Sequence, residues 1–188
     1  MFVLVENDSI TKTVQSNKGI TIGENQYPRS IYNLWTPAER EAIGIYEVVY
    51  DNSNKKDGGY YTNTNQSFNF ADGKVTASFG SATARELADV TENDIVTPGL
   101  KTKHKEEIKQ RASGLLTPTD WYVIKATEVD SYSVPAELTT YRAAVRTASN
   151  DMEALIDASS TVDELAALYV YNNDEPRVRP LGEFPEEV

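Results

Sequence analysis

A single histidine, His104, limits the acid–base chemistry open to this chain. A histidine-based triad could use no other residue, and a two-histidine metal site is impossible. His104 lies in the basic run Lys101, Lys103, Lys105, Lys109 and Arg111, interrupted by Glu106 and Glu107. That run reads as a solvated helix face and His104 as a solvent-facing residue. Cysteine is absent, which removes thiol nucleophiles, disulfides and thiolate zinc sites together. Gly73-Lys74 is followed by Val75 and lacks the upstream glycine of a phosphate loop. Asp51-Asn-Ser-Asn-Lys-Lys-Asp-Gly58 fails as a calcium loop, because Lys55 and Lys56 occupy its fifth and sixth positions. Carboxylates are plentiful, but abundance does not place two of them across a substrate. Asn7-Asp-Ser9 and Asn65-Gln-Ser67 match the glycosylation sequon and carry no weight without a secretory signal. Trp35 and Trp121 each adjoin a helix start and an apolar run, so core anchoring is favoured over ligand stacking. No catalytic residue, cofactor or metal ligand is assigned, and the chain is expected not to be an enzyme.

The formal net charge of -11 argues against nucleic-acid binding, since phosphate contacts need clustered Lys and Arg. Met1-Phe-Val-Leu-Val5 is too short for a signal peptide and lacks a basic flank. No stretch approaches the ~20 apolar residues of a membrane span. Synthesis in the cytoplasm without a membrane partner is the expectation.

The most strongly patterned stretch is Leu100 to Leu168. Leu138, Tyr141, Val145, Ala148, Met152 and Leu155 recur at spacings of 3, 4, 3, 4 and 3, the stripe of a helix over about 135–158. Pro135 takes its first turn, with Arg142 and Arg146 on its outer face. Ile108, Ala112, Leu115 and Leu116 form a facing stripe on about 101–116. Thr117-Pro-Thr-Asp120 reads as a fresh helix start, with Thr117 as N-cap, or as a kink in one continuous helix. Thr161-Val-Asp-Glu164 is a capping box for a third, short helix. The long stripe is either covered inside one domain or shared with a partner chain.

The N-terminal part is β-rich. Phe2–Glu6 and Ile10–Gln15 read as a hairpin, with a further strand near Ile20–Ile22. Thr36-Pro-Ala-Glu39 starts a helix over 37–43, which Gly44 stops. Strands follow at Ile45–Tyr50, Tyr60–Thr64, Ser67–Phe70 and Lys74–Phe79, with Asp72-Gly73 as a tight turn. Ser81–Asp89 has helical composition. Thr97-Pro98-Gly99 marks a joint, and Tyr169–Tyr171 has the composition of a short strand. The fold class is α+β: a small antiparallel β-rich module (1–89), a linker (90–99), a helical hairpin with a short helix (100–168) and an extended acidic, proline-rich tail (169–188), ordered only on a partner.

Two segments carry a family resemblance. The first is Leu34-Trp35, Thr36 to Glu39, and Ile43-Gly44-Ile45-Tyr46-Glu47-Val48, with the aromatic strand Gln66–Phe70 and its Asp72-Gly73 turn. The second is Leu115-Leu116, Thr119-Asp120-Trp121, Glu128, Val134-Pro135, Tyr141-Arg142 and Arg146. Together they resemble small bacteriophage tail-region proteins of the tail-fibre and tail-fibre-assembly type. The resemblance implies a structural protein of a tailed-phage virion or, alternatively, a tail-fibre assembly chaperone. It also implies other virion proteins, or further copies of this chain, as partners. Trp121 would anchor one helix against the stripe of Leu138, Tyr141, Val145 and Met152, while Arg142 and Arg146 would pair with Glu128 or Asp130.

Overall fold

Residues Phe2 to Val5 are all buried, and their alternation divides them between two apolar clusters. Phe2 and Leu4 join Val14, Ile20, Ile31, Tyr32 and Ile45. Val3 and Val5 join Val48, Val75 and Ala77. A strand whose successive side chains point to opposite faces can be apolar throughout only when both faces are covered. That requirement organises the first of two compact units, Met1–Thr83; the second begins at Ala84. The structure is a computed structural model and describes residues 1–187.

In the first unit β1 (Phe2–Glu6) and β2 (Ser9–Val14) form the expected hairpin. Asn7 and Asp8 both take positive φ, 52° and 59°, the backbone that a two-residue hairpin turn demands. A second small hairpin, β3 (Ile20–Ile22) with β4 (Asn25–Tyr27), turns at Gly23. Two short helices follow, α1 (Ile31–Leu34) and α2 (Pro37–Glu41). Thr36 and Glu39 make the reciprocal capping box of α2. The bonds from Thr36 hold the Glu39 carboxyl below its ordinary range. β5 (Ile45–Asp51), β6 (Tyr61–Thr62), β7 (Gln66–Ala71) and β8 (Lys74–Phe79) complete the unit. The five-stranded sheet has the order β2-β1-β5-β8-β7.

One expectation is corrected here. The sheet is mixed, because β5 and β8 pair in parallel, Val48 opposite Val75 and Asp51 opposite Ser78. β7 and β8 are joined by the Asp72-Gly73 turn, and β8 inserts between β5 and β7. Trp35 packs against the first cluster, edge-on to Tyr27 at 5.9 Å.

Gly44 links α2 to β5 at φ +81°, and a Cβ there would meet the Val5 carbonyl oxygen at 2.6 Å. Both conformation and space exclude a side chain. Gly44→Ala should destabilise the first unit by about 2 kcal/mol, read as a lowered urea midpoint at unchanged slope.

β9 (Thr83–Ala84) spans the boundary between the units, and the second unit continues with β10 (Val90–Glu92) and β11 (Ile95–Thr97). Residues 90–97 are therefore no plain linker, since β10 and β11 pair around Asn93 and Asp94, both at positive φ. The helix expected over 81–89 does not form. The carbonyls of Glu86 and Leu87 instead accept the N–H groups of Leu100 and Lys101 at 2.9 and 3.0 Å. The Asp89 carboxylate accepts from Gly99 at 2.9 Å. Bonds from Thr102 and Gly99 lower the Asp89 pKa. Helical composition loses here to the open N–H groups of the next helix.

That helix is α3 (Leu100–Leu116), followed by a 3-10 turn (Thr117–Thr119), α4 (Asp120–Glu128), α5 (Ala136–Ala158) and α6 (Val162–Ala167). α3 and α5 pack antiparallel, since Lys105 meets Asp157 at one end and Leu116 meets Arg142 at the other. The buried stripe of α5 is Leu138, Tyr141, Arg142, Val145, Ser149, Met152 and Ile156. Leu155, expected in it, is exposed. A straight helix drifts ~20° per heptad against a 3.5 repeat, so the stripe moves from the 148 and 155 positions to 149 and 156. Thr161 caps α6 through the expected box, and Leu165 is buried.

The segment after α6 is also corrected. Residues 169–171 form no strand, and the tail folds back on its own unit. Leu181 is 2% exposed, and its N–H donates to the Leu168 carbonyl at 3.0 Å. Phe184 packs against the cluster of Ala112, Leu138, Tyr141 and Val145. Two apolar residues suffice to dock a tail whose composition otherwise favours extension.

Candidate interaction surface

The basic run of α3 is in part the expected solvated face, with Lys103, Lys109 and Arg111 exposed, but most of its charges are also paired within the unit. Lys101 donates to the Asp157 carbonyl and Lys105 to its carboxylate, each at 2.8 Å. Lys109 pairs with Glu153 at 3.2 Å and Arg111 approaches Glu183 at 3.8 Å. Partly exposed pairs of this kind contribute little stability each, but they fix which faces meet.

His104 is not solvent-facing. Its ring lies 4.7 Å from that of Tyr169, and its side chain is 16% exposed. Burial lowers its pKa, and nearby Glu107 opposes the shift in part. A histidine whose folded pKa lies below its unfolded value near 6.5 favours folding in its neutral form. Its contribution is fully present above pH 6.5 and is lost as pH falls towards the folded pKa. In urea melts followed by helical circular dichroism, stability should therefore drop from pH 7 to 5. His104→Gln should remove the part of that drop that belongs to this residue.

Thr117 does not cap a new helix. Its hydroxyl donates back to the Ser113 carbonyl at 2.8 Å, and the backbone stays helical at Leu116, Thr117 and Asp120. The chain thus runs through Pro118 as a tightened bend, the second of the two forms its sequence allows. The bend is held by Arg142, which is buried rather than on the outer face. Its guanidinium donates to the Leu116 carbonyl at 2.9 Å, to the Thr119 hydroxyl, and to Asp120 at 2.8 Å. Arg142 therefore pairs with Asp120, not with Glu128 or Asp130.

Leu138, Tyr141, Val145 and Met152 are all core residues of the unit. They hold the helices together and leave no surface for a partner. Trp121 has the opposite fate. It is 50% exposed, stacks on Tyr122 with ring centroids 3.9 Å apart, and carries Lys125 over its face. Tyr122 makes the packing contact foreseen for Trp121, against the Leu138–Val145 cluster.

Sequence reasoning missed the consequence for α4. Trp121-Tyr-Val-Ile124 places four large apolar side chains at 100° intervals around one helix. A short helix packed on one side cannot bury them all. No α4 residue is buried, and Trp121, Val123, Ile124 and the adjoining Val129 are exposed together. Such a concentration on a small unit is characteristic of an interaction site. Two grooves flank it: one of about 230 Å³ lined by Tyr122, Pro135, Glu137 and Leu138, and one of about 280 Å³ lined by Val123, Val134, Thr139, Arg142 and Arg146. Arg146 is exposed, and its Nη1 donates to the Arg142 carbonyl at 3.3 Å.

Among the described residues no cluster of three or more His, Asp or Glu side chains could hold a metal ion, and no helix is long and apolar enough to cross a membrane. The chemistry on offer at α4 is apolar contact, aromatic stacking and guanidinium hydrogen bonding, all of them means of binding. No protein-family model, curated protein or solved structure matches the chain.

Proposed function

We propose that this protein is a non-catalytic structural part of a tailed-phage virion, in the tail, adaptor or fibre region, and that it works by docking on other virion proteins. The observation that carries the proposal is the exposed apolar surface of α4. It lies within the Leu115–Arg146 segment that resembles tail-fibre and tail-fibre-assembly proteins. On this reading α3 and α5 are the helical hairpin of that class, with α4 displayed between them. Because α3 and the tail cover the α5 stripe, the docking role passes from the stripe to α4.

The test is quantitative mass spectrometry of purified particles that carry this gene. A structural part should appear at a fixed copy number matching the symmetry of one tail component. Trp121→Glu with Ile124→Glu should leave the isolated protein folded, since both side chains are exposed, and should cut its incorporation at least tenfold. Abundance in infected cells with absence from particles would instead identify an assembly chaperone and overturn the structural role.

A further inference from the structure

We propose that the groove beside α4 receives a segment of a partner protein that presents a carboxylate next to one apolar side chain. This rests on the docking role proposed above and specifies the chemistry of the partner. The groove walls are Val123 and Val134, with Thr139, Arg142 and Arg146 as its polar lining. Thr139 spends its hydroxyl on the Pro135 carbonyl at 3.2 Å. Arg142 is neutralised by Asp120 at 2.8 Å. Arg146 is left as the net charge of the groove, with no carboxylate partner among the described residues.

The net charge is -11, and on the facing helix Lys105 and Lys109 each have a carboxylate within salt-bridge distance. An unpaired guanidinium beside two valines is complementary to an acid adjoining an aliphatic or aromatic residue. The groove volume of about 280 Å³ falls at the lower limit of small-molecule pockets, which suits a side chain rather than a cofactor. A second copy of this chain is the poorer occupant, because two strongly acidic molecules repel each other.

The test uses full-length, isotope-labelled protein and two probes, N-acetyl-leucine and its uncharged amide. N-acetyl-leucine should give saturable NMR shifts at Val123, Val134, Thr139 and Arg146, and the amide should bind at least tenfold more weakly. Arg146→Gln, an exposed change that should keep the fold, should weaken N-acetyl-leucine about tenfold, and Arg146→Lys should retain part of the binding. Equal binding of the amide, unchanged binding by Arg146→Gln, or no saturable shift in the groove would overturn the proposal. A wild-type dimer in sedimentation that Arg146→Gln dissociates would assign the groove to a second copy instead. None of these failures touches the virion copy number, which tests the docking role separately.

Discussion

Replacing Val145 with glutamate should unfold the helical unit rather than release a folded monomer. Val145 is fully buried among Ala112, Leu138 and Tyr141, with Phe184 of the tail packed on the same cluster. Arg142, the buried cation of the same stripe, is already committed to Leu116, Thr119 and Asp120, so a carboxylate there must either ionise among apolar side chains or fold only when protonated. The cost exceeds about 4 kcal/mol, much of the 5–15 kcal/mol that stabilises a typical domain. Val145→Ala, which only opens a cavity, should cost about 2 kcal/mol. The two tryptophans make the result readable, because Trp35 belongs to the first unit and Trp121 to the second. In a Trp35→Phe background, Trp121 fluorescence and helical circular dichroism should both report the loss. A well-folded Val145→Glu monomer derived from a wild-type oligomer would mean that the stripe is an intersubunit surface, and would sink this assignment.

The elements legible in the sequence are those whose signals are local. The Thr36 and Thr161 capping boxes and the Asp72-Gly73 turn each lie within one or two turns of chain and stand as expected, and the α5 stripe holds at Leu138, Tyr141, Val145 and Met152 but not at Ala148 and Leu155. What was not legible depends on partners distant in sequence. The parallel pairing of β5 with β8 joins Val48 to Val75 across a crossover, which no local pattern specifies. The carbonyls of Glu86 and Leu87 were claimed by the N-terminus of α3, against the helical composition of their own segment. At the candidate surface the Thr-Asp-Trp segment stands out in the sequence, but the roles inside it are the reverse of those its residue types suggest. Trp121 faces out, Tyr122 packs in, and Arg142 goes under the bend. Residue types 100° apart on a helix do not say which side is covered; that is decided by how α5 crosses below. The tail shows the same limit, since Leu181 and Phe184 outweigh a composition that otherwise favours extension.

Loss of the Arg142 guanidinium should be the most damaging single deletion of a polar group in the helical unit. Arg142→Met keeps the length and the apolar stem but removes the guanidinium donors to Leu116, Thr119 and Asp120. Two effects compete for the cost: the broken ion pair with Asp120, and the loss of the charged donor to the Leu116 carbonyl, which keeps only the Thr119 hydroxyl at 2.7 Å. The Asp120 side chain is 51% exposed, so water resolvates its carboxylate and the pair itself is worth at most about 1 kcal/mol. The Leu116 carbonyl lies where the chain tightens into the 3-10 turn, and it loses a charged donor there, at about 1.5–3 kcal/mol. The loss of the charged hydrogen bonds to the bend therefore dominates. Arg142→Met should cost about 3 kcal/mol and Asp120→Asn under about 1 kcal/mol, with a coupling energy below about 1 kcal/mol in the double-mutant cycle. Because Arg142 ties α5 to the bend before α4, the Met variant should also broaden the NMR signals of residues 117–124 while those of α6 stay sharp. A coupling energy that accounts for most of the Arg142→Met loss would show the ion pair, not the carbonyl, to be what holds α4 in place.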